Sequence, residues 1–275
     1  MCCLEPTRVK TRRSISASDR TVFIKAALIR VALIGIAFIG LTLLFSCNEP
    51  HTEEPIVIDW DKLSDEGLQG NLAKGVSAAY AALIDGQLIV AGGANFPDKL
   101  GFEGGAKVFY DEILWYDPTN NSWKIIGKLP VPSAYGVSIP IPHGALWIGG
   151  NGSTELLTTC FKVSLRGYQG YTPETAAIEL IPFAPLPAPM DNFAGCAIGT
   201  TVYIAGGNIN GKPSNALHCI NIKNDDSTSM LRQYVQCGDT TWTELPPFPG
   251  LPRVQPVLVA LQEEGQSYLY LLGGF

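Results

Sequence analysis

The sequence predicts an all-β protein, a propeller of four-stranded antiparallel blades, and three observations carry that reading. An apolar run ends on Gly-Gly four times, at Gly92-Gly93, Gly149-Gly150, Gly206-Gly207 and Gly273-Gly274, at intervals of 57, 57 and 67 residues. A recurring period near 50 residues marks an array of repeated supersecondary units. Each doublet also closes a short strand pattern (QLIVAGG, GALWIGG, TVYIAGG, YLYLLGG), where glycine supplies positive φ or close backbone approach without a Cβ penalty. Further apolar runs of strand length flank every doublet, separated by Gly and Pro turns, as in a propeller blade. A plain β-sandwich has short strands too, but not the same doublet at a repeated spacing.

Residues 1–47 stand apart from that pattern. Met1–Arg30 holds seven cationic side chains against Glu5 and Asp19, and Val31–Ser46 is sixteen residues without a charge, followed by Cys47. A basic region, an apolar core and a small residue before the break constitute an export signal. Leu44-Phe45-Ser46-Cys47 resembles a bacterial lipobox, which makes Cys47 the candidate lipidation site. The alternative is an uncleaved N-terminal membrane helix, since the apolar run approaches the spanning length of about 20 residues. Either way the rest of the chain is expected to be exported, as a periplasmic or outer-membrane lipoprotein of a Gram-negative bacterium. Residues 48–55, with Glu49, Glu53 and Glu54, read as an acidic tether.

Residues 56–275 are read as the partial propeller. Ile56–Leu63 (IVIDWDKL) is expected to be an outer, closing strand. Residues 75–132 form a blade from Ala78–Ile84, the first doublet strand, Glu112–Tyr116 and Trp123–Leu129, with Pro130 as the stop. Residues 133–190 repeat it with Tyr135–Ile141, the second doublet strand, Thr159–Val163 and Ile178–Ile181 before Pro182. Residues 191–250 do so with Phe193–Ile198, the third doublet strand, Ala216–Ile222 and Trp242–Leu245 before Pro246; a polar insert near Asn224–Ser229 lengthens this unit. Residues 251–275 supply half a blade, Pro256–Leu261 and the last doublet strand.

Charge and composition exclude several functions. Without residues 1–47, the chain keeps 12 Lys and Arg against 23 Asp and Glu, about −11. Nucleic-acid binding is not expected, because phosphate neutralisation needs a cationic face. Only His51, His143 and His218 are present, none at ligand spacing, which argues against a zinc site and against a copper oxidase. Cys160, Cys196, Cys219 and Cys237 lack C-x-x-C spacing and read mainly as small buried apolar residues. A disulfide between Cys219 and Cys237 stays an open alternative.

From about Ile56 to Phe275 the chain resembles the kelch family of propellers, on the doublets, Tyr116 and Trp123 of the first blade and Trp242 of the third. The second blade departs, with Phe161 near the tyrosine position and no Trp in its last strand. That pattern implies fold and no function. QLIVAGGANF, DEILWYDPTNNSWKIIGKLP, AYGVSIPIPHGALWIGGN and WTELPPFPGLPRVQPVLVAL resemble the N-acetylneuraminate epimerase (sialic acid mutarotase) family. Gly250–Arg253 looks like an early blade of the bacterial enzyme, while Ala91–Phe96 and Ala134–Ser138 look like its final blades. This order resembles the cyclically permuted mutarotase branch. The resemblance implies six blades, so the chain, with about three and a half, reads as C-terminally incomplete and is expected to be inactive as it stands.

The resemblance implies a mutarotase or epimerase that interconverts the anomers of N-acetylneuraminate, with a small-molecule acidic sugar as partner and no cofactor or metal. Ring opening needs one group to take the proton of the anomeric hydroxyl and another to protonate the ring oxygen, work suited to a Glu with a neighbouring Arg. The family's Glu/Arg loop finds no match here and is expected beyond residue 275, so no catalytic residue is assigned. Substrate-binding candidates are polar residues in loops entering innermost strands or leaving second strands: Arg253, Glu103, Asn95, Tyr135 and Asn192. Arg253 matches a Pro-Arg of the family, and a guanidinium fork suits a sialate carboxylate. Two alternatives stand beside the enzyme: a non-catalytic kelch module that binds glycan or protein, and a related activity on another sugar.

Overall fold

The structure, a computed structural model, describes residues 7–10, 60–166, 177–222, 241–263 and 265–275. The protein is all-β, and three four-stranded antiparallel sheets follow one another along the chain. The first blade orders Tyr80–Ile84, Gln87–Ala91, Glu112–Asp117 and Ser122–Lys128. The second orders Val137–Ile141, Gly144–Ile148, Cys160–Arg166 and Ala177–Phe183. The third orders Ala194–Ile198, Thr201–Ala205, Leu217–Asn221 and Thr243–Leu245. A fourth sheet pairs Pro256–Glu263 with Gln266–Gly273. These strands lie where the doublets put them, with ends shifted by one to three residues; Pro182, expected as a stop, instead lies inside the strand Ala177–Phe183, opposite Phe161.

Hydrophobic burial explains why the sheets stack. Side chains alternate across each strand, so one strand serves two neighbours. In the fully buried strand Gly144–Ile148, Ala145 and Trp147 pack with Ile84, Ile89, Ile113 and Trp115 of the first blade. Leu146 and Ile148 face the other way, with Val202, Ile204 and Ile220 of the third blade. A third cluster joins Tyr203, Ala205 and Leu217 to Leu258, Leu269 and Leu271 of the fourth sheet. Two tryptophans add hooks at the periphery. Trp123 donates its indole N–H to the carbonyl of Ser64 (2.9 Å), and Trp242 does the same to Ala184 (3.1 Å).

The doublets do what glycine is needed for. Every doublet residue has positive φ, from 58° at Gly149 to 111° at Gly150. The second glycine donates its N–H across the blade boundary: Gly93 to Ser133 (2.8 Å), Gly150 to Met190 (2.8 Å) and Gly207 to Arg253 (2.7 Å). A Cβ at Gly150 would meet the Ala134 carbonyl oxygen and the Tyr80 hydroxyl, each at 2.6 Å. The doublet therefore serves as the backbone seam between blades.

The fourth sheet departs from the two strands expected. Thr7–Lys10 pairs antiparallel with the outer edge of Gln266–Gly273, Thr7 opposite Leu271 and Lys10 opposite Tyr268. An edge strand offers a row of free N–H and C=O groups, and this segment satisfies them. Of the closing strand expected at Ile56–Leu63, Ile56–Asp59 lie outside the described residues, and Trp60–Leu63 run outside any strand, Trp60 being 91% exposed. The next residues dock on the outer hairpin of the first blade instead, where Trp123 N–H donates to Glu66 O at 2.7 Å. Val31–Ser46, Cys47, the 48–55 tether, the Asn224–Ser229 insert and Cys237 also lie outside the described residues. No helix among the described residues is long and apolar enough to cross a membrane. Cys219 is disulfide-bonded, and Cys160 and Cys196 are free thiols that burial pushes up to about 12.

One core group links stability to pH. His218 is buried, its Nδ1 has no hydrogen-bond partner, and it sits in register with Glu244 on the neighbouring strand. Burial lowers its pKa below the ordinary 6.5, against the smaller opposing pull of Glu244. The unfolded chain then binds the proton more readily than the folded one, so stability is present above 6.5 and is lost as pH falls through that value. Urea unfolding is expected to show a lower midpoint at pH 5.5 than at pH 7.5, and His218→Gln is expected to flatten that slope.

Candidate functional site

The inner strands are entered through four residues with left-handed backbone: Ala78 (φ 56°), Tyr135 (63°), Asn192 (54°) and Gln255 (55°). They are joined head to tail. Tyr135 N–H donates to Ala78 O (2.9 Å), Asn192 N–H to Tyr135 O (2.8 Å), and Gln255 N–H to Asn192 O (2.8 Å). Gln255 Nε2 adds a side-chain bond to Asn192 Oδ1 at 2.9 Å. This ladder strings the four sheets together at the entry to their inner strands. A non-glycine residue in the left-handed region costs about 1–2 kcal/mol, and such backbone strain concentrates at binding and active sites. Tyr135, the bulkiest of the four, is the residue least expected there.

Around that ladder stand the loops that leave the second strands. In the first blade the loop runs from Ala94–Asn95 to Val108–Phe109, which pair with each other. It brings Lys107 over the Tyr135 ring, with Nζ 4.7 Å from the centroid and donating to the Tyr135 hydroxyl at 2.8 Å. Phe96 flanks the same ammonium at 5.3 Å, and Phe109 meets the Tyr135 ring edge-on at 6.4 Å. In the second and third blades Asn151 and Asn208 both donate to the buried carboxylate of Asp191, at 3.1 and 2.7 Å. Asp191 thus clamps two rim loops beside Asn192. Among the described residues, no group of three or more His, Cys, Asp or Glu is placed to hold a metal ion.

The five sequence-predicted binding residues have different surroundings. Tyr135 and Asn192 are adjacent rungs of the ladder. Asn95 is engaged in bracing: its amide donates to Asn71 O (3.0 Å) and Gly75 O (2.7 Å), and its Oδ1 accepts from Tyr110 OH (2.7 Å). Glu103 is exposed in the short 3-10 turn Gly101–Glu103 and accepts from Leu100 N–H at 3.2 Å. Arg253 is half-buried and turns its Nη1 to Gly273 O at 3.0 Å, while its own carbonyl receives the Gly207 seam. Lys107, Asp191 and Gln255 complete the rim and were not expected from sequence. A positional signal for the ladder existed, since Ala78, Tyr135 and Asn192 each stand fourteen residues before a doublet. The longer hairpin of the fourth sheet displaces Gln255 from that offset.

The family match falls on the part of the chain that supplies the first-blade rim loop and Tyr135, while Asp191, Asn192, Asn208 and Gln255 lie beyond it. Residues 49–170 match the family model described as N-acetylneuraminate epimerase. The matched segment is 122 of the 275 residues. It supplies the first blade, the Asn95–Val108 loop with Lys107, and Tyr135. N-acetylneuraminate epimerase 1 of Escherichia coli O6:H1 (strain CFT073) is 42% identical over 86 residues, 28% of this chain and 23% of that protein. The N-acetylneuraminate epimerase of Brucella melitensis biotype 1 is 36% identical over 102 residues, 33% of this chain and 26% of that protein. That of Yersinia pestis (strain Pestoides F) is 32% identical over 125 residues, 42% of this chain and 31% of that protein. The chain spans between about a quarter and a third of the length of these epimerases. The solved structure of YjhT aligns with a TM-score of 0.48 at 14% identity, over 66% of this chain and 55% of that one.

Proposed function

We propose that the rim binds N-acetylneuraminate and that the chain belongs to a mutarotase acting on the anomers of this sugar. The observation that carries the proposal is a coincidence of place. The segment that matches the epimerase family model, 49–170, supplies the rim loop with Lys107 and the strained Tyr135. An acidic sugar needs a cation and several fixed polar groups at one opening. Here the Lys107 ammonium bonds the Tyr135 hydroxyl, and Tyr135, Asn192 and Gln255 are rungs of one ladder. Their role is to hold and orient the sugar while its ring opens and recloses. The proton-transfer residues are not assigned to any position of this sequence. The permuted blade order is part of the proposal, supported by the likeness of Gly250–Arg253 to an early blade.

The test is saturation-transfer NMR on the 275-residue protein with N-acetylneuraminate, run beside neutral glucose. Transfer to the acidic sugar and not to glucose is expected. No transfer above that of glucose would overturn the reading. Selective inversion of one anomer in the same sample then reports whether exchange exceeds the spontaneous rate.

We also propose export, with cleavage after Ser46 and Cys47 as the acylated first residue of the mature, membrane-tethered chain; that cleavage removes the Thr7–Lys10 strand and leaves the outer edge of Gln266–Gly273 without it. The basic stretch, the uncharged run 31–46 and the Ser46-Cys47 junction support it. Intact-mass analysis of the mature protein checks it, since an N-terminal Met1 would contradict cleavage.

A further inference from the structure

We propose that Lys107, presented by Tyr135 and Phe96, is the group that recognises the carboxylate of the acidic sugar, in place of the Arg253 expected from sequence. The inference rests on the binding reading above and deepens it. Lys107 is exposed, yet it is held in one place. Its ammonium makes a 2.8 Å bond to the Tyr135 phenol, 4.7 Å from that ring's centroid, and lies 5.3 Å from the centroid of Phe96. An exposed lysine in solution samples many rotamers, and ordering one costs conformational entropy that some interaction must offset. Two cation–π contacts and a hydrogen bond do so here.

The pedestal itself is rigid. Tyr135 is fixed by its left-handed backbone, by ladder bonds on both sides, and by Phe109 packed edge-on against its ring. Among the described residues no carboxylate pairs with Lys107, although acidic side chains outnumber basic ones about two to one outside residues 1–47. An ammonium has three N–H donors, and the phenol takes one. The other two are left for an anion that arrives from solvent, and the phenol can take part beside them. Arg253 is less free, since its Nη1 is directed to Gly273 O and its backbone is tied into the Gly207 seam. The expected ligand is a monocarboxylate sugar, with a planar anion meeting the ammonium and the phenol together.

The experiment compares N-acetylneuraminate with its methyl ester, which removes the charge and keeps the ring, by titration calorimetry at pH 7. The wild-type chain is expected to favour the acid about tenfold or more, as a charge-assisted hydrogen bond would give. Lys107→Met is expected to lose that preference and bind both ligands alike. Lys107→Arg is expected to regain part of it. Lys107→Met that still prefers the acid overturns the assignment, decisively so if Arg253→Met is the variant that loses the preference. Failure of the wild-type chain to bind either ligand overturns the sugar-binding reading and the Lys107 assignment with it. Matching near-ultraviolet circular dichroism confirms that the variants are folded, which the exposed position of Lys107 favours.

Discussion

Trp147→Ala is expected to destabilise the propeller by about 3–5 kcal/mol, the range for deleting a buried aromatic. The indole is 1% exposed in a strand buried along its whole length, and it stacks on Tyr80 with centroids 5.6 Å apart. It also fills the junction between first and second blades, with Ile84, Ile89, Ile113 and Trp115 around it. The cavity left behind could not collapse, because the neighbouring side chains belong to two sheets whose backbones are fixed by their ladders. Trp147→Phe tests the reasoning. The buried indole N–H has no hydrogen-bond partner, so its removal relieves a desolvated donor while keeping most of the ring. Its cost is expected to be less than half that of the alanine variant in urea unfolding at pH 7.5.

Gly207→Ala is the second large effect, and Gly211→Ala is its control. Both glycines have positive φ, 74° and 76°. An alanine at either position carries the left-handed penalty of about 1–2 kcal/mol. Only at Gly207 is there no room. The new Cβ would lie 2.4 Å from Asp191 O and 2.6 Å from Phe193 Cβ and N, whereas nothing lies within 4 Å of one at Gly211. Gly207 cannot retreat without losing its bond to Arg253 O. Overpacking of a close contact adds about 1–3 kcal/mol. Gly207→Ala is therefore expected to cost at least twice what Gly211→Ala does, and it displaces Asp191 and Asn192, so sugar binding should weaken with stability. Equal costs would mean that the seam is not a close-packed constraint.

These two sites also mark what the sequence could convey. Strand positions were legible because side-chain alternation and the doublets are local signals. Trp147 sits in a five-residue apolar run that ends on Gly149-Gly150, and the run alone announces a buried strand. Positive φ at all four doublets followed from the same pattern. The rim was legible only in part. Tyr135 and Asn192 keep a fixed offset to the doublets, but Lys107 reaches Tyr135 across 28 residues and Asn151 reaches Asp191 across 40. Those pairs arise from the stacking of blades, which no local pattern encodes. Asn95 and Arg253 show the converse. A polar residue in a rim loop reads as a ligand-binding candidate, yet the fold directs the Asn95 amide and a guanidinium nitrogen of Arg253 to backbone carbonyls. The strand at Thr7–Lys10 could not be foreseen either, because its residues lack the apolar alternation of the other strands and its pairing depends on an edge about 260 residues away.

The most direct measurement is hydrogen–deuterium exchange by mass spectrometry, on the 275-residue protein with and without saturating N-acetylneuraminate. Protection is expected in peptides covering 94–110, 133–137, 190–194 and 253–256, which hold the rim loop and the ladder residues from Tyr135 to Gln255. The outer strands Ser122–Lys128 and Ala177–Phe183 are expected to exchange unchanged. Protection confined to those outer strands, or none anywhere at ligand saturation, would contradict a sugar site at the mouth of the propeller.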